Sequence, residues 1–166
     1  MTDAHMGDDK TVWILRHGDA THQAPSDALR ELTPKGLTHI QQQAEFMTQQ
    51  GVTFDAVWVS PYVRAQQSAQ MFLSGLSVTA SFDTVNLLQP DSLVSSLVTH
   101  LSRHAPSRLL IVSHQPLVNR LINVLCDGDA RLGRAEFLNT SSLACLRSSE
   151  WIPGWASVDC IQHVTG

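Results

Sequence analysis

Val12-Trp13-Ile14-Leu15-Arg16-His17-Gly18-Asp19 runs from an apolar stretch straight into a cation, an imidazole and a glycine. The apolar half reads as a short strand, and the polar half as the loop beyond its carboxyl end. Asp55 to Ser60 and Arg108 to Ser113 carry the same signature, so three strands are predicted, beginning with Thr11 to Arg16. Each stops beside residues able to do chemistry: Arg16 and His17 after the first, Ser60 to Arg64 after the second, His114 after the third.

Helices are predicted between these strands. Thr33 suits an N-cap and Pro34 a first helical position, Leu37, Ile40, Ala44 and Met47 share one face, and Gly51 closes the segment. Further helices are expected from about Tyr62 to Leu73 and from Asp91, read as an N-cap, to about Arg103, with Leu93, Leu97 and Leu101 at four-residue spacing. A last one follows Pro116, turns Leu117, Leu121, Ile122 and Leu125 inward, and ends near Asp127-Gly128. Strand alternating with helix predicts an α/β fold, a three-layer α/β/α sandwich with a mostly parallel central sheet, whose ligands gather beyond the carboxyl ends of its strands. Ser142 to Leu146 and Trp155 to Ile161 are candidate strands of an antiparallel closing pair.

Composition bounds what such a fold does. With 166 residues, 43% hydrophobic and 16% charged, the chain fits one compact domain that buries roughly 68–70% of its unfolded surface. Residues 1–10 read as a flexible leader and 11–166 as the domain. The balance of 11 Lys plus Arg against 15 Asp plus Glu, net −4, argues against a nucleic-acid partner. Cys126, Cys145 and Cys160 have no Cys-x-x-Cys spacing and read as buried reduced thiols of a cytoplasmic protein. No apolar run approaches the ~18 residues of a membrane span, so no membrane partner is expected. A metal site is unsupported, because His17 and His114 lack a third ligand at recognisable spacing.

The strand ends supply two arginines and two histidines to one rim. Guanidinium forks match phosphate oxygens, and a neutral imidazole can attack phosphorus. Arg64 is telling, because a cation in the first turn of a helix opposes the macrodipole. Asp19, His22 and Asp27 lie on the loop after the first strand, where lining the rim and plain surface polarity explain them equally well.

Leu15-Arg16-His17-Gly18-Asp19, Leu32-Thr33-Pro34-Lys35-Gly36, Val59-Ser60-Pro61-Tyr62-Val63-Arg64-Ala65-Gln66-Gln67-Ser68 and Ile111-Val112-Ser113-His114-Gln115-Pro116, in this order and spacing, resemble the histidine phosphatase superfamily, also called phosphoglycerate mutase-like. Short length and Arg30 just before Leu32-Thr33 are similar to its SixA-type phosphohistidine phosphatase branch. The resemblance runs from about Val12 to Leu125. It implies that His17 is the nucleophile and becomes a transient phosphohistidine, that Arg16, Arg64 and His114 hold the phosphoryl oxygens, and that Arg30 orients the substrate. Gly18 would let backbone approach closely. Ser60 is either a phosphate contact or a small residue where strand meets helix. The implied enzyme needs no cofactor, acts on a phosphohistidine-containing protein, and is expected to be a monomer.

One departure narrows the substrate. Many phosphomonoesterases of the superfamily carry an acidic proton donor in the stretch that here reads Val85-Asn86-Leu87-Leu88-Gln89-Pro90, and no carboxylate lies within it. An alkoxide leaving group, with a conjugate-acid pKa near that of water at about 15.7, needs such a donor. An imidazole, with an ordinary pKa of about 6.5, takes up its own proton and leaves neutral. The short span between Gly75 and the following helix also leaves little chain for a lid. Phosphohistidine on a protein is therefore the expected substrate. The alternatives are a small-molecule phosphomonoesterase using Asp83, Asp91 or a substrate group as acid, and a non-catalytic phosphate-binding module.

Overall fold

A computed structural model of the chain describes residues 9–77, 81–127 and 138–164. Strand β1 (Lys10–Arg16) starts one residue earlier than predicted, so Lys10 belongs to the sheet and not to the leader; residues 1–8 lie outside the described residues. Val12 and Ile14 bury on one face of β1, Trp13 and Leu15 on the other. A strand covered on both sides must be apolar at every position, which accounts for the unbroken run in the sequence.

Helix α1 (Pro34–Gln50) keeps its predicted ends. The Thr33 hydroxyl accepts the Gly36 N–H at 3.0 Å, Pro34 opens the helix, and Gly51 closes it at φ 64, where a Cβ would be strained. Then follow β2 (Ala56–Val59), α2 (Val63–Gly75), β3 (Asp83–Thr84), α3 (Val94–His104), β4 (Arg108–Ser113), α4 (Leu117–Leu125), β5 (Leu143–Ser148) and β6 (Ser157–Gln162).

The strands form one sheet in the order β3-β2-β4-β1-β5-β6. The pairs from β3 to β1 are parallel; β1 with β5 and β5 with β6 are antiparallel. The sheet is thus mixed and mostly parallel, and the tail supplies the expected antiparallel pair. Ile40, Met47 and Phe72 of α1 and α2 pack on the face of Trp13 and Leu15. Leu97, Leu101, Leu121 and Leu125 of α3 and α4 pack on the face of Val12 and Ile14. Each such side chain contributes about 1.5–3 kcal/mol on burial, which ties the helices to the sheet.

Four local features differ from expectation. The α3 helix starts at Val94, and the residue before it is Leu93 rather than Asp91; Leu93 has extended backbone and is 71% exposed, because it precedes the helix whose face its spacing seemed to join. Strand β3 has two residues, too few to leave a periodic pattern. Cys160, on the outermost strand, is half-buried where Cys126 and Cys145 are buried. The α4 helix ends at Leu125 with Cys126 as its cap; Gly128 lies outside the described residues.

The connections position the site. Chain leaves β1 for α1 on one face of the sheet and leaves β4 for α4 on the other, and these two strands are neighbours. Their carboxyl ends therefore diverge around a crevice, the usual ligand position in such sheets. No helix among the described residues is long and apolar enough to cross a membrane.

Candidate active site

Sheet register brings the three strand ends together. Arg16 stands opposite Ser113, the His17 N–H donates to the Ser113 carbonyl at 3.0 Å, and the Ser60 N–H donates to the Val112 carbonyl at 3.0 Å. His17, Ser60, Arg64 and His114 are all buried, and the His17 and His114 rings lie 5.0 Å apart between centroids.

His17 Nδ1 lies 2.7 Å from the carbonyl oxygen of Gly18. A carbonyl only accepts, so Nδ1 carries the proton and Nε2 keeps its lone pair. That lone pair faces Arg64, whose Nε lies 3.3 Å away. Burial lowers the His17 pKa to about 3; the bond to Gly18 opposes the shift, and the charges of Arg64, Arg16 and Arg30 reinforce it. His17 is neutral across the physiological range.

The loop carrying His17 is clamped from below. The Gly18 N–H donates to Ser68 Oγ at 2.9 Å, and that hydroxyl donates to the Arg64 carbonyl at 2.7 Å. A Cβ on Gly18 would stand 3.0 Å from the Gly36 carbonyl oxygen, so the close backbone approach anticipated at this glycine is present, against the start of α1.

Arg64 lies in the first turn of α2 with its side chain 5% exposed. Its misfit with the helix macrodipole is offset by local partners: Nη1 donates to the Asp27 carbonyl at 2.7 Å, Nη2 to Asp27 Oδ2 at 3.2 Å, and the guanidinium stacks 5.0 Å from the Tyr62 ring centroid. Arg16 donates from Nη1 to the Leu138 carbonyl at 2.8 Å, and its backbone N–H donates to the Ser142 carbonyl. The tail thus holds the second arginine.

His114 Nε2 lies 2.7 Å from Ser60 Oγ, and the same hydroxyl accepts the Tyr62 N–H at 3.3 Å. His114 Nδ1 is buried with no hydrogen-bond partner. Burial first, then the neighbouring His17, Arg64 and Arg16, lower its pKa to about 2.

Of the residues singled out in the sequence, Arg16, His17, Gly18, Ser60, Arg64 and His114 therefore come together. Arg30 stays at the rim: its Nε donates to the Thr21 carbonyl at 2.7 Å, Nη2 to the Ala20 carbonyl at 3.3 Å and Nη1 to Asp27 Oδ1 at 3.0 Å. It reaches His17 through its charge. Tyr62, which packs edge-on against His114 at 5.0 Å, and Ser68 stand in the same motif as Arg64 but have no role in the sequence reading of the site. Ser68 sits one helical turn after Arg64, a spacing that could have placed it on the same face.

A neutral imidazole with an aimed lone pair, set among fixed guanidinium donors at strand ends, is an arrangement suited to phosphoryl transfer. The matching family model is that of the histidine phosphatase superfamily (branch 1), over residues 12–85. The phosphohistidine phosphatase SixA of Escherichia coli is 32% identical over 142 residues, 84% of this chain and 86% of that protein. A SixA homologue of Haemophilus influenzae is 31% identical over 121 residues, covering 67% and 74% of the two chains. A solved structure of the protein histidine phosphatase SixA with tungstate superposes with TM-score 0.82 at 29% identity, over 92% of this chain and 96% of that one. The chain belongs to the histidine phosphatase superfamily, in its SixA-type branch.

Proposed function

We propose that the protein is a phosphohistidine phosphatase that strips the phosphoryl group from a histidine of a signalling or phosphotransfer protein through a phosphohistidine intermediate on His17. The observation that carries this reading is the Nδ1 bond to Gly18, which leaves Nε2 of a neutral His17 unprotonated among Arg16 and Arg64. The SixA relatives, whose names state the same activity, support it.

In the first step Nε2 of His17 attacks phosphorus and the P–N bond of the substrate breaks. The departing imidazole takes a proton from solvent on its free ring nitrogen and leaves neutral, so no carboxylic acid is required. In the second step water attacks the phosphoryl on Nε2, releasing phosphate and restoring the neutral ring. Arg16 and Arg64 hold the oxygens as charge moves, and Arg30 adds its field from the rim.

His114 completes the cradle through Ser60. The Ser60 hydroxyl accepts the Tyr62 N–H and is free to donate its own proton to His114 Nε2; with that bond made, the His114 proton sits on Nδ1, which then can donate to a phosphoryl oxygen. In this reading Ser60 is a positioning residue.

Leaving-group chemistry favours phosphoramidates over esters. Asp83 is exposed on β3, and Asp91 is exposed in a turn ahead of α3. Purified enzyme is expected to release phosphate from a phosphohistidine protein at least about 10²-fold faster than from sugar phosphates or phosphoserine, as a missing acid implies. Rapid release from the esters with the phosphohistidine protein untouched would refute the substrate assignment.

A further inference from the structure

Three arginines crowd one histidine. Arg64, Arg16 and Arg30 all act on His17, and among the ion pairs of the described residues it is Asp27 that meets Arg30 and Arg64. Asp27 opens the short 3-10 turn Asp27–Leu29. Its Oδ1 accepts Arg30 Nη1 at 3.0 Å, its Oδ2 accepts Arg64 Nη2 at 3.2 Å, and its carbonyl accepts Arg64 Nη1 at 2.7 Å. One residue therefore grips the outer edge of the Arg64 fork through two oxygens, the way a phosphoryl group grips an arginine.

The two partners differ in freedom. The Arg64 side chain is 5% exposed and that of Asp27 is 56% exposed, so the anion can withdraw while the cation stays. The bond from Arg30, and secondarily Arg64, keeps the Asp27 carboxyl below its ordinary range. Asp27 is ionised at neutral pH and has no proton to donate.

We propose that Asp27 is an internal counter-anion of the phosphoryl pocket: it occupies Arg64 when the pocket is empty, yields Nη2 to an incoming phosphoryl oxygen, and returns to help product phosphate leave. Three cations around one anion favour tight binding of substrate and product alike, and such uniform binding slows turnover once release limits it. A carboxylate competing for the same donors weakens the bound ground states.

Phosphate binding tests this without reference to the substrate, while the turnover half rests on the phosphatase reading above. Inorganic phosphate is titrated calorimetrically into wild type, Asp27→Asn and Asp27→Glu at fixed ionic strength. Asp27→Asn keeps an acceptor oxygen and the backbone carbonyl but loses the charge, and is expected to bind phosphate roughly three- to tenfold more tightly, with Asp27→Glu near wild type. On a phosphohistidine protein, kcat and KM of Asp27→Asn should fall together. Equal or weaker phosphate binding by Asp27→Asn would overturn the proposal and leave Asp27 as a prop for Arg64. Should that variant not fold, the Asp27 carboxyl carbon resonance of wild type serves: a shift on adding phosphate supports release from Arg64, and an unchanged resonance overturns it. Tighter phosphate binding by a protein that ignores phosphohistidine would sink the substrate reading alone.

Discussion

Arg16, His17, Ser60 and His114 stand where parallel strands end, whereas Asp27 and Arg30 stand on the loop between β1 and α1, and different forces hold the two groups. The floor is fixed by sheet register and by bonds to backbone, as in His17 to Gly18 and Arg16 to Leu138. The rim adds ion pairs to its backbone bonds: Asp27 meets Arg30 and Arg64 through its carboxylate, 56% exposed, while Arg30 also donates to the Thr21 and Ala20 carbonyls. On the proposed reading, the groups that meet phosphorus are built on rigid elements, and the group that yields, the Asp27 carboxylate, is the more exposed partner in each of its ion pairs.

The sharpest way to break the contrast is to move the floor. A Cβ on Gly36 would stand 2.3 Å from the Asp19 carbonyl oxygen and 2.9 Å from its nitrogen. Gly36→Ala therefore forces apart the α1 start and the loop carrying His17 and is expected to cost about 1–3 kcal/mol in urea denaturation. A displacement of His17 by about 1 Å would also lower turnover roughly 10²-fold. Wild-type stability and rate in this variant would show the floor to be as compliant as the rim.

A second effect on the floor comes with pH. His17 and His114 have folded pKa values of about 3 and about 2, below the ordinary value of about 6.5, so the unfolded chain takes up protons first as pH falls. The stability this provides is complete above about pH 6.5 and is lost toward the folded values, with a slope approaching 1.4 kcal/mol per pH unit, to an order of magnitude, for each histidine. Urea midpoints between pH 7 and pH 5 are expected to fall in wild type and to fall less steeply in His114→Gln. A flat profile would mean that the floor histidines charge freely while folded.

The same contrast explains what the sequence could and could not say. Strand ends and helix caps are local signals: Thr33, Pro34 and Gly51 announce α1, and the unbroken apolar run announces a strand covered on both faces. Arg16, His17, Arg64 and His114 were legible because each abuts such an element. The pairings among the site residues were not, since no spacing within the chain tells that Asp27 meets Arg64, 37 positions away, or that Ser60 binds His114, 54 positions away. Leu93 misled for a related reason, its four-residue spacing continuing past the point where the helix begins.

The covalent role of His17 is tested most directly by mixing the enzyme with a phosphohistidine protein carrying radioactive phosphorus, quenching in alkali within one turnover, and mapping the label. The phosphoryl group is expected on Nε2 of His17, with no label and no turnover in His17→Asn. Full wild-type turnover without label on His17, or a His17→Asn variant that turns over normally, would contradict the account.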